Sequence, residues 1–316
     1  MPIVPATPEV IRDAAQALAR GDIVAFPTET VYGLGANALD ARAVAKVFAA
    51  KERPRFNPLI VHVPGLAEAE RYAIVNNIAR RLAEAFWPGP LSLVLSRRPA
   101  CAIADLVSAG LDTIALRAPA HPVAQALLAQ VKLPIAAPSA NRSGRISPTT
   151  AAHVEAELGK RPAMILDGGP CPLGIESTVV SVVGGEPALL RPGALPREAI
   201  ELVLGAPLVT AKAKERGASP GQLATHYAPN TPLRLGATSV HSNEALLAFG
   251  GDVPAGARLT VNLSTSGSLE EAAARLFAAL RELDQAGAQA IAVMPIPAHG
   301  LGEAINDRLQ RAANRR

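Results

Sequence analysis

Short apolar runs alternate with amphipathic stretches along the chain, and both periods can be followed from end to end. Val10, Ile11, Ala14 and Leu18 recur at helical spacing. Thr7 as N-cap, Pro8 at the first helical position and Gly21 past the last turn bound the helix they predict. Asp22-Ile23-Val24-Ala25-Phe26 then reads as a buried strand between Gly21 and Pro27. The pattern goes on to predict a helix over 40–50, a strand over 58–63, helices over 66–72 and 77–86, and strands over 91–95 and 113–117. A short helix over 122–131 precedes the strand-like run Pro134-Ile135-Ala136-Ala137-Pro138. Ser147 and Pro148, a hydroxyl cap and a first-turn proline, predict a helix that Gly159 closes. Strands over 163–167 and 178–183 and a helix over 197–204 complete this part. Such mixing of elements predicts an α/β or α+β domain around a large sheet.

The pattern lapses after residue 205, where Lys212, Lys214, Arg216, Gly217, Ser219, Pro220 and Gly221 read as an interdomain linker. Beyond it, strands over 232–235, 258–263 and 290–294 alternate with helical stretches. The clearest helix covers 268–285, with Leu269, Ala273, Leu276, Phe277, Leu280 and Leu283 on one face. Strand–helix alternation there predicts a small α/β domain with a mainly parallel sheet. The expected organisation is a domain over 1–205, a linker over 206–229 and a second domain over 230–316.

Composition narrows the function classes. Hydrophobic residues make up 49% and charged residues 18%, an ordinary globular balance without bulk disorder. No apolar run nears the ~20 residues a membrane-spanning helix needs, and the N-terminus carries no signal-peptide pattern. Two cysteines, Cys101 and Cys171, are too few for a disulfide framework or a cysteine zinc site, so a cytoplasmic protein is expected. A net charge of +4, spread rather than banked, suits anionic substrates better than a dedicated nucleic-acid surface.

Polar groups gather where strands end. Phe26-Pro27-Thr28-Glu29-Thr30-Val31-Tyr32-Gly33-Leu34-Gly35 sets two hydroxyls, a carboxylate, a phenol and two glycines directly after a strand. It reads as a loop holding a small polar ligand, with Glu29 and Tyr32 shaping its wall. Gly33-Leu34-Gly35-Ala36-Asn37-Ala38 fits a loose dinucleotide fingerprint, but its glycines come too far past the strand for the tight strand-to-helix turn that motif requires. Lys51 and Arg53, with Asn57 close by, offer a point charge and a forked donor that suit a triphosphate. Ser139, Asn141, Ser143 and Ser147, with Arg142 and Arg145 among them, form a second polar loop suited to an anion. Gly174-Ile175-Glu176-Ser177-Thr178 and Arg191-Pro192-Gly193 are further polar strand ends. No phosphate loop of the Gly-Lys-Ser/Thr type, His-Glu-x-x-His motif or cysteine pair is present.

Together these pieces resemble the threonylcarbamoyl-AMP synthase family. Pro27-Thr28-Glu29-Thr30-Val31-Tyr32-Gly33-Leu34, Lys51-x-Arg53-Pro54-x-x-Asn57-Pro58-Leu59, Trp87-Pro88-Gly89-Pro90, Leu116-Arg117-x-Pro119, Pro138-Ser139-Ala140-Asn141 and Ser177-Thr178 with Arg191-Pro192-Gly193 occur in that family's order. Ser219-Pro220-Gly221 with His226-Tyr227-Ala228-Pro229 is similar to the linker of its long form. Gly300-Leu301-Gly302-x-Ala304-Ile305-Asn306-Asp307-Arg308-Leu309 is similar to its C-terminal domain. The resemblance implies a YrdC-like twisted, mixed, open sheet with helices, followed by a smaller Rossmann-like α/β domain. It implies condensation of L-threonine, bicarbonate and ATP to threonylcarbamoyl-adenylate and pyrophosphate, a nucleotidyl transfer. The product would pass to a downstream transferase that modifies tRNA beside the anticodon. By the same resemblance Thr30, His62, Arg117, Ala137 and Ser177 contact threonine, and Arg53, Asn57, Thr113, Ser139, Ser147, Arg191 and Tyr227 contact ATP. Lys51, Arg53, Ser139 and Asn141 form a catalytic polar tetrad, and Tyr227 implies that the linker folds back as a lid. Magnesium is expected to ride on ATP, with no protein metal site. A monomer with at most a weak tRNA contact is expected.

Two rival readings rest on related domains. A double-stranded-RNA or tRNA-binding module without synthase activity would need basic residues interleaved with stacking aromatics, which are absent. Hydrogenase-maturation carbamoyl transfer would need cysteine-rich zinc fingers, which two cysteines cannot supply.

Overall fold

The structure, a computed structural model, describes residues 3–54, 56–211 and 226–314. The Ser219-Pro220-Gly221 part of the expected lid lies outside the described residues. Most of the predicted elements form where the apolar period placed them. Thr7 Oγ1 accepts from Val10 N and caps the helix Pro8–Ala19, while Asp40 caps Ala41–Lys51. Asn77–Phe86, Pro122–Val131 and Arg197–Leu204 match their expected spans, and the second domain's long helix runs Leu269–Asp284.

A twelve-stranded mixed sheet organises the first part of the chain. From one edge it runs β1 (Ile3–Pro5), β9 (Met164–Asp167), β2 (Val24–Phe26), β3 (Gly33–Asn37), β8 (Ile135–Ala136) and β4 (Ile60–His62). It continues through β7 (Thr113–Arg117), β6 (Leu91–Arg97), β10 (Thr178–Ser181), β11 (Ala188–Arg191) and β12 (Val209–Thr210), with β5 (Ala73–Ile74) paired to β6. β4 and β7 are parallel and place His62 beside Arg117, while β6 and β10 are parallel and place Ser92 beside Val179. A second sheet, all parallel, runs β13 (Leu233–Leu235), β16 (Ala290–Val293), β14 (Glu244–Ala248) and β15 (Thr260–Asn262). The helices Leu269–Asp284 and Leu301–Ala313 pack together beside it.

Four local expectations are corrected. Gly33 and Gly35 lie in strand β3, not in a loop, and the ligand loop shortens to residues 27–32. The glycines are there for room: a Cβ on Gly35 would stand 2.8 Å from both Ile135 and the Phe26 ring. Tyr32 is no cleft wall; it is fully buried in the main core, donating to the Gly169 carbonyl at 2.8 Å. The helix expected from Ser147 begins only at Ala151, because Thr150 supplies the cap to His153 N. The Pro148 carbonyl instead accepts Tyr32 N, and the Ser147 hydroxyl is engaged by Glu176. Strand β14, Glu-Ala-Leu-Leu-Ala, was missed because its residues favour helix; between two strands, all five bury.

Candidate active site

The C-terminal ends of β4 and β7 and the loops after β2, β8 and β9 meet in one cleft. It is lined by Thr28, Thr30, Val31, Gly33, Arg53, Ile60, His62, Arg117, Ala137, Pro138, Ser139, Glu176, Ser177, Arg191, His226 and Tyr227. Nine of the residues singled out from the sequence therefore share it: Thr30, Arg53, His62, Arg117, Ala137, Ser139, Ser177, Arg191 and Tyr227.

At one end the loop after β2 is knitted by its own hydroxyls. Thr28 Oγ1 donates to the Val31 carbonyl at 2.7 Å and lies 2.9 Å from Thr30 Oγ1. Arg117, at the end of β7, donates to Thr30 Oγ1 at 3.0 Å, to Glu29 Oε1 at 2.6 Å and to the Gly89 carbonyl at 3.3 Å. The second Glu29 oxygen accepts Ala120 N at 3.0 Å. Both partners of this ion pair are buried, a state that only close pairing and further hydrogen bonds make tolerable. The Trp87-Pro88-Gly89-Pro90 segment thus supplies a carbonyl that aims Arg117. His62 lies across the sheet with its ring edge-on to Phe26 at 6.1 Å. Burial first, then the Arg117 charge, pushes its imidazole down to about 3, so it is neutral at physiological pH.

At the other end arginines predominate. Arg53 donates to the carbonyls of Asn57 at 3.3 Å and Pro58 at 3.1 Å, and burial lowers it to about 10. Arg191 reaches the Ser177 carbonyl at 2.7 Å and its hydroxyl at 3.2 Å, and the Ser177 hydroxyl lies 2.8 Å from Ser92 Oγ. Burial pulls the Glu176 carboxyl up, but Arg308, Arg191 and Ser147 outweigh it and hold it below the usual carboxylate range. Tyr227 sits at φ +63°, a left-handed conformation that costs a bulky residue roughly 1–3 kcal/mol unless packing fixes it. Phe277 stacks on its ring at 5.6 Å, and Arg308 lies 5.1 Å from the ring centre. His226 meets the Tyr227 ring edge-on at 4.0 Å; burial and the charges of Arg53, Lys51, Arg308 and Arg191 hold it neutral.

Five expected residues stand behind or beside the cleft lining. Lys51 is fully buried and donates to the Ser139 carbonyl at 2.5 Å and to the Asn141 carbonyl, so it shapes the loop after β8. Burial, reinforced by the Arg53 charge, pushes its amine well below the ordinary lysine value. Asn141 Nδ2 donates to the carbonyls of Arg142 and Arg145. Asn57 is buried at the start of the segment leading to β4. Ser147 donates to Glu176. Thr113 lies at the far end of β7 from Arg117, on the face shared by Ala115. That face carries an apolar patch of Ile60, Val94, Ala115, Val179, Leu190 and Ala211, continuous with the cleft through Ile60.

Asn57 Nδ2, His62 Nδ1, Asn141 Oδ1 and His226 Nδ1 are buried without a hydrogen-bond partner among the described residues. Four such atoms at or beside one cleft point to a polar occupant, because an unsatisfied buried polar atom is costly.

A family model described as telomere recombination, that of the Sua5, YciO and YrdC proteins, matches residues 16–193. A second, described as the threonylcarbamoyl-AMP synthase C-terminal domain, matches residues 195–314. The chain belongs to the threonylcarbamoyl-AMP synthase family. The threonylcarbamoyl-AMP synthase of Bacillus subtilis is 42% identical over 97% of this chain and 93% of its own length. That of Pyrococcus abyssi is 40% identical over 97% and 94%. The crystal structure of P. abyssi Sua5 complexed with L-threonine superposes with a TM-score of 0.89 at 38% identity, covering 97% of this chain and 95% of that one.

Within this family frame, Glu176 and Arg308 are residues whose place at the site the sequence did not disclose. Glu176 lies in a polar strand end and Arg308 in the run similar to the family's C-terminal domain, but neither run gives its residue a role at the site. Only the tertiary contact, Arg308 Nε to Glu176 Oε2 at 2.8 Å, joins them.

Proposed function

We propose that the cleft makes threonylcarbamoyl-adenylate from L-threonine, bicarbonate and ATP, releasing pyrophosphate. The observation that carries this reading is three buried arginines, Arg53, Arg117 and Arg191, facing one cleft. Its one lining carboxylate among the described residues, Glu176, is already bound to Arg308. Buried like charges are tolerated where a polyanion is to be received. The threonine amine adds to bicarbonate-derived carbon with loss of water, giving a carbamate. A carbamate oxygen then attacks the α-phosphorus, and the bond to the bridging oxygen breaks as pyrophosphate leaves. No protein nucleophile is required; positioning and charge neutralisation supply the acceleration.

Arg53, Arg191 and the Ser139 hydroxyl would hold phosphate oxygens, and Tyr227 with the apolar patch around Ile60 would hold the nucleoside. Arg117 has two N–H groups beyond its three protein acceptors to offer a threonine carboxylate. Thr30, His62, Ala137 and Ser177 would complete the amino-acid subsite, with neutral His62 offering its unpartnered Nδ1. Lys51 and Asn141 would set the loop that carries Ser139, Asn57 and Ser147 would brace Arg53 and Glu176, and Thr113 would border the nucleoside. Magnesium would arrive as part of the ATP substrate, since both nearby carboxylates, Glu29 and Glu176, are engaged by arginines. The mixed anhydride would pass to a transferase acting on tRNA.

Pyrophosphate release measured with all three substrates, and with threonine or bicarbonate omitted in turn, tests the reading. Release should depend on both. Release indifferent to either omission rejects it.

A further inference from the structure

The helix Leu301–Ala313 carries a fully buried arginine, Arg308, whose side chain is 0% exposed. Its guanidinium reaches across the domain boundary twice. Nε donates to Glu176 Oε2 at 2.8 Å, and Nη2 donates to the Pro192 carbonyl at 3.0 Å. Nη1 donates to Asp307 Oδ2 at 2.7 Å, and the group lies 5.1 Å from the Tyr227 ring centre. Glu176 and Pro192 directly flank Ser177 and Arg191, which are themselves bonded to each other. The strand ends they sit on approach so closely that a Cβ on Gly193 would stand 2.4 Å from the backbone of 176–178. A single planar fork therefore fixes both sides of the Ser177–Arg191 pair and the ring beside it. It also neutralises Glu176, the only carboxylate lining the cleft among the described residues, which would otherwise oppose a triphosphate.

Resting on the synthase reading, we propose that Arg308 is a positioning residue for nucleotide: through it the second domain sets Arg191 and Tyr227 for ATP. Most of the threonine end stands on a separate network, Arg117 with Glu29 and Thr30, which Arg308 does not touch; of the threonine subsite, Ser177 adjoins the Arg308 network through Arg191. The two ligands should therefore respond differently to its loss.

The test uses the full chain, with ATP and threonine affinities measured separately by calorimetry and pyrophosphate release as a control on the wild type. Arg308→Met is expected to weaken ATP binding tenfold or more while threonine binding stays within twofold. Adding Glu176→Gln to Arg308→Met should recover part of the ATP affinity, because the uncompensated carboxylate is gone. Arg308→Lys keeps the charge without the fork and should weaken ATP binding severalfold, again sparing threonine. ATP affinity within twofold of wild type in a folded Arg308→Met, or equal losses for both ligands, overturns the inference. If Arg308→Met does not fold, Arg308→Lys decides by the same criteria. A wild-type chain without substrate-dependent pyrophosphate release refutes the synthase reading itself; an active wild type with indifferent variants refutes only the role of Arg308.

Discussion

His62 shows how far burial alone can set a residue's chemistry. An imidazole on a surface titrates near 6.5, but packed on Phe26 and beside Arg117 it is held at about 3. The unfolded chain therefore binds this proton more readily than the folded one. Its contribution to stability is complete above about pH 6.5 and is lost progressively as pH falls toward the folded value. His153, lowered to about 4 chiefly by burial, acts in the same direction. Replacing His62 with Asn should flatten the acid limb of a stability profile by up to about 1.4 kcal/mol per pH unit between pH 6 and 4. Urea midpoints of both proteins across that range give the comparison, and parallel profiles would contradict the assignment. Neutral His62 can accept or donate one hydrogen bond without adding charge beside Arg117.

For the strands, β3 carries the clearest lesson. A glycine inside a strand is ordinarily unfavourable by roughly 0.5–1 kcal/mol, so alanine at Gly35 should help if only the backbone mattered. Packing reverses the sign. The added methyl would meet Ile135 on β8 and Phe26 on β2, both in a closely packed core. Gly35→Ala should destabilise by about 1–3 kcal/mol, the usual cost of overpacking, and weaken threonine binding by shifting Phe26 against His62. Denaturation midpoints and threonine titrations check both, and a stabilised variant would show that the two neighbours yield freely. The same element explains why the dinucleotide fingerprint fails: its glycines lie within a strand and admit a ring from the neighbouring strand, instead of forming a strand-to-helix turn.

Across the whole molecule, the two sheets share apolar contacts. Val31, Ile146, Ile175 and Ala194 from the first part pack into the cluster around Leu276, Phe277 and Leu280 of the second. Gly174 passes so near the helix Leu269–Asp284 that a Cβ would lie 2.3 Å from the Ala274 carbonyl. Ion pairs join the surfaces around this contact: Arg197 with Glu303 at 2.6 Å and Arg281 with Glu157 at 3.1 Å. Partly exposed pairs of this kind contribute little, so the shared apolar cluster is the main coupling. Calorimetric unfolding should accordingly show one cooperative transition, with calorimetric and van't Hoff enthalpies in agreement. Two resolved transitions would mean that the boundary is too weak to couple the domains.

The periodicity of the sequence determined the elements, because apolar positions recurring at helix or strand spacing can bury only one way. Helices such as Pro122–Val131 and Arg197–Leu204 were legible to the residue, since caps and flanking breakers are local. Most of the polar loops of the cleft were legible too, because hydroxyls, amides and arginines at strand ends are unusual wherever they fall. Local signals failed where the deciding partner is distant in the chain. Tyr32 turned into the core toward Gly169, Ser147 left its helix for Glu176, and β14 formed from residues that favour helix because two flanking strands bury it. Arg308 is the fullest case. It lies in a run similar to the family's C-terminal domain, but 132 residues separate it from Glu176, so only the packing of one domain against the other could bring it to the cleft.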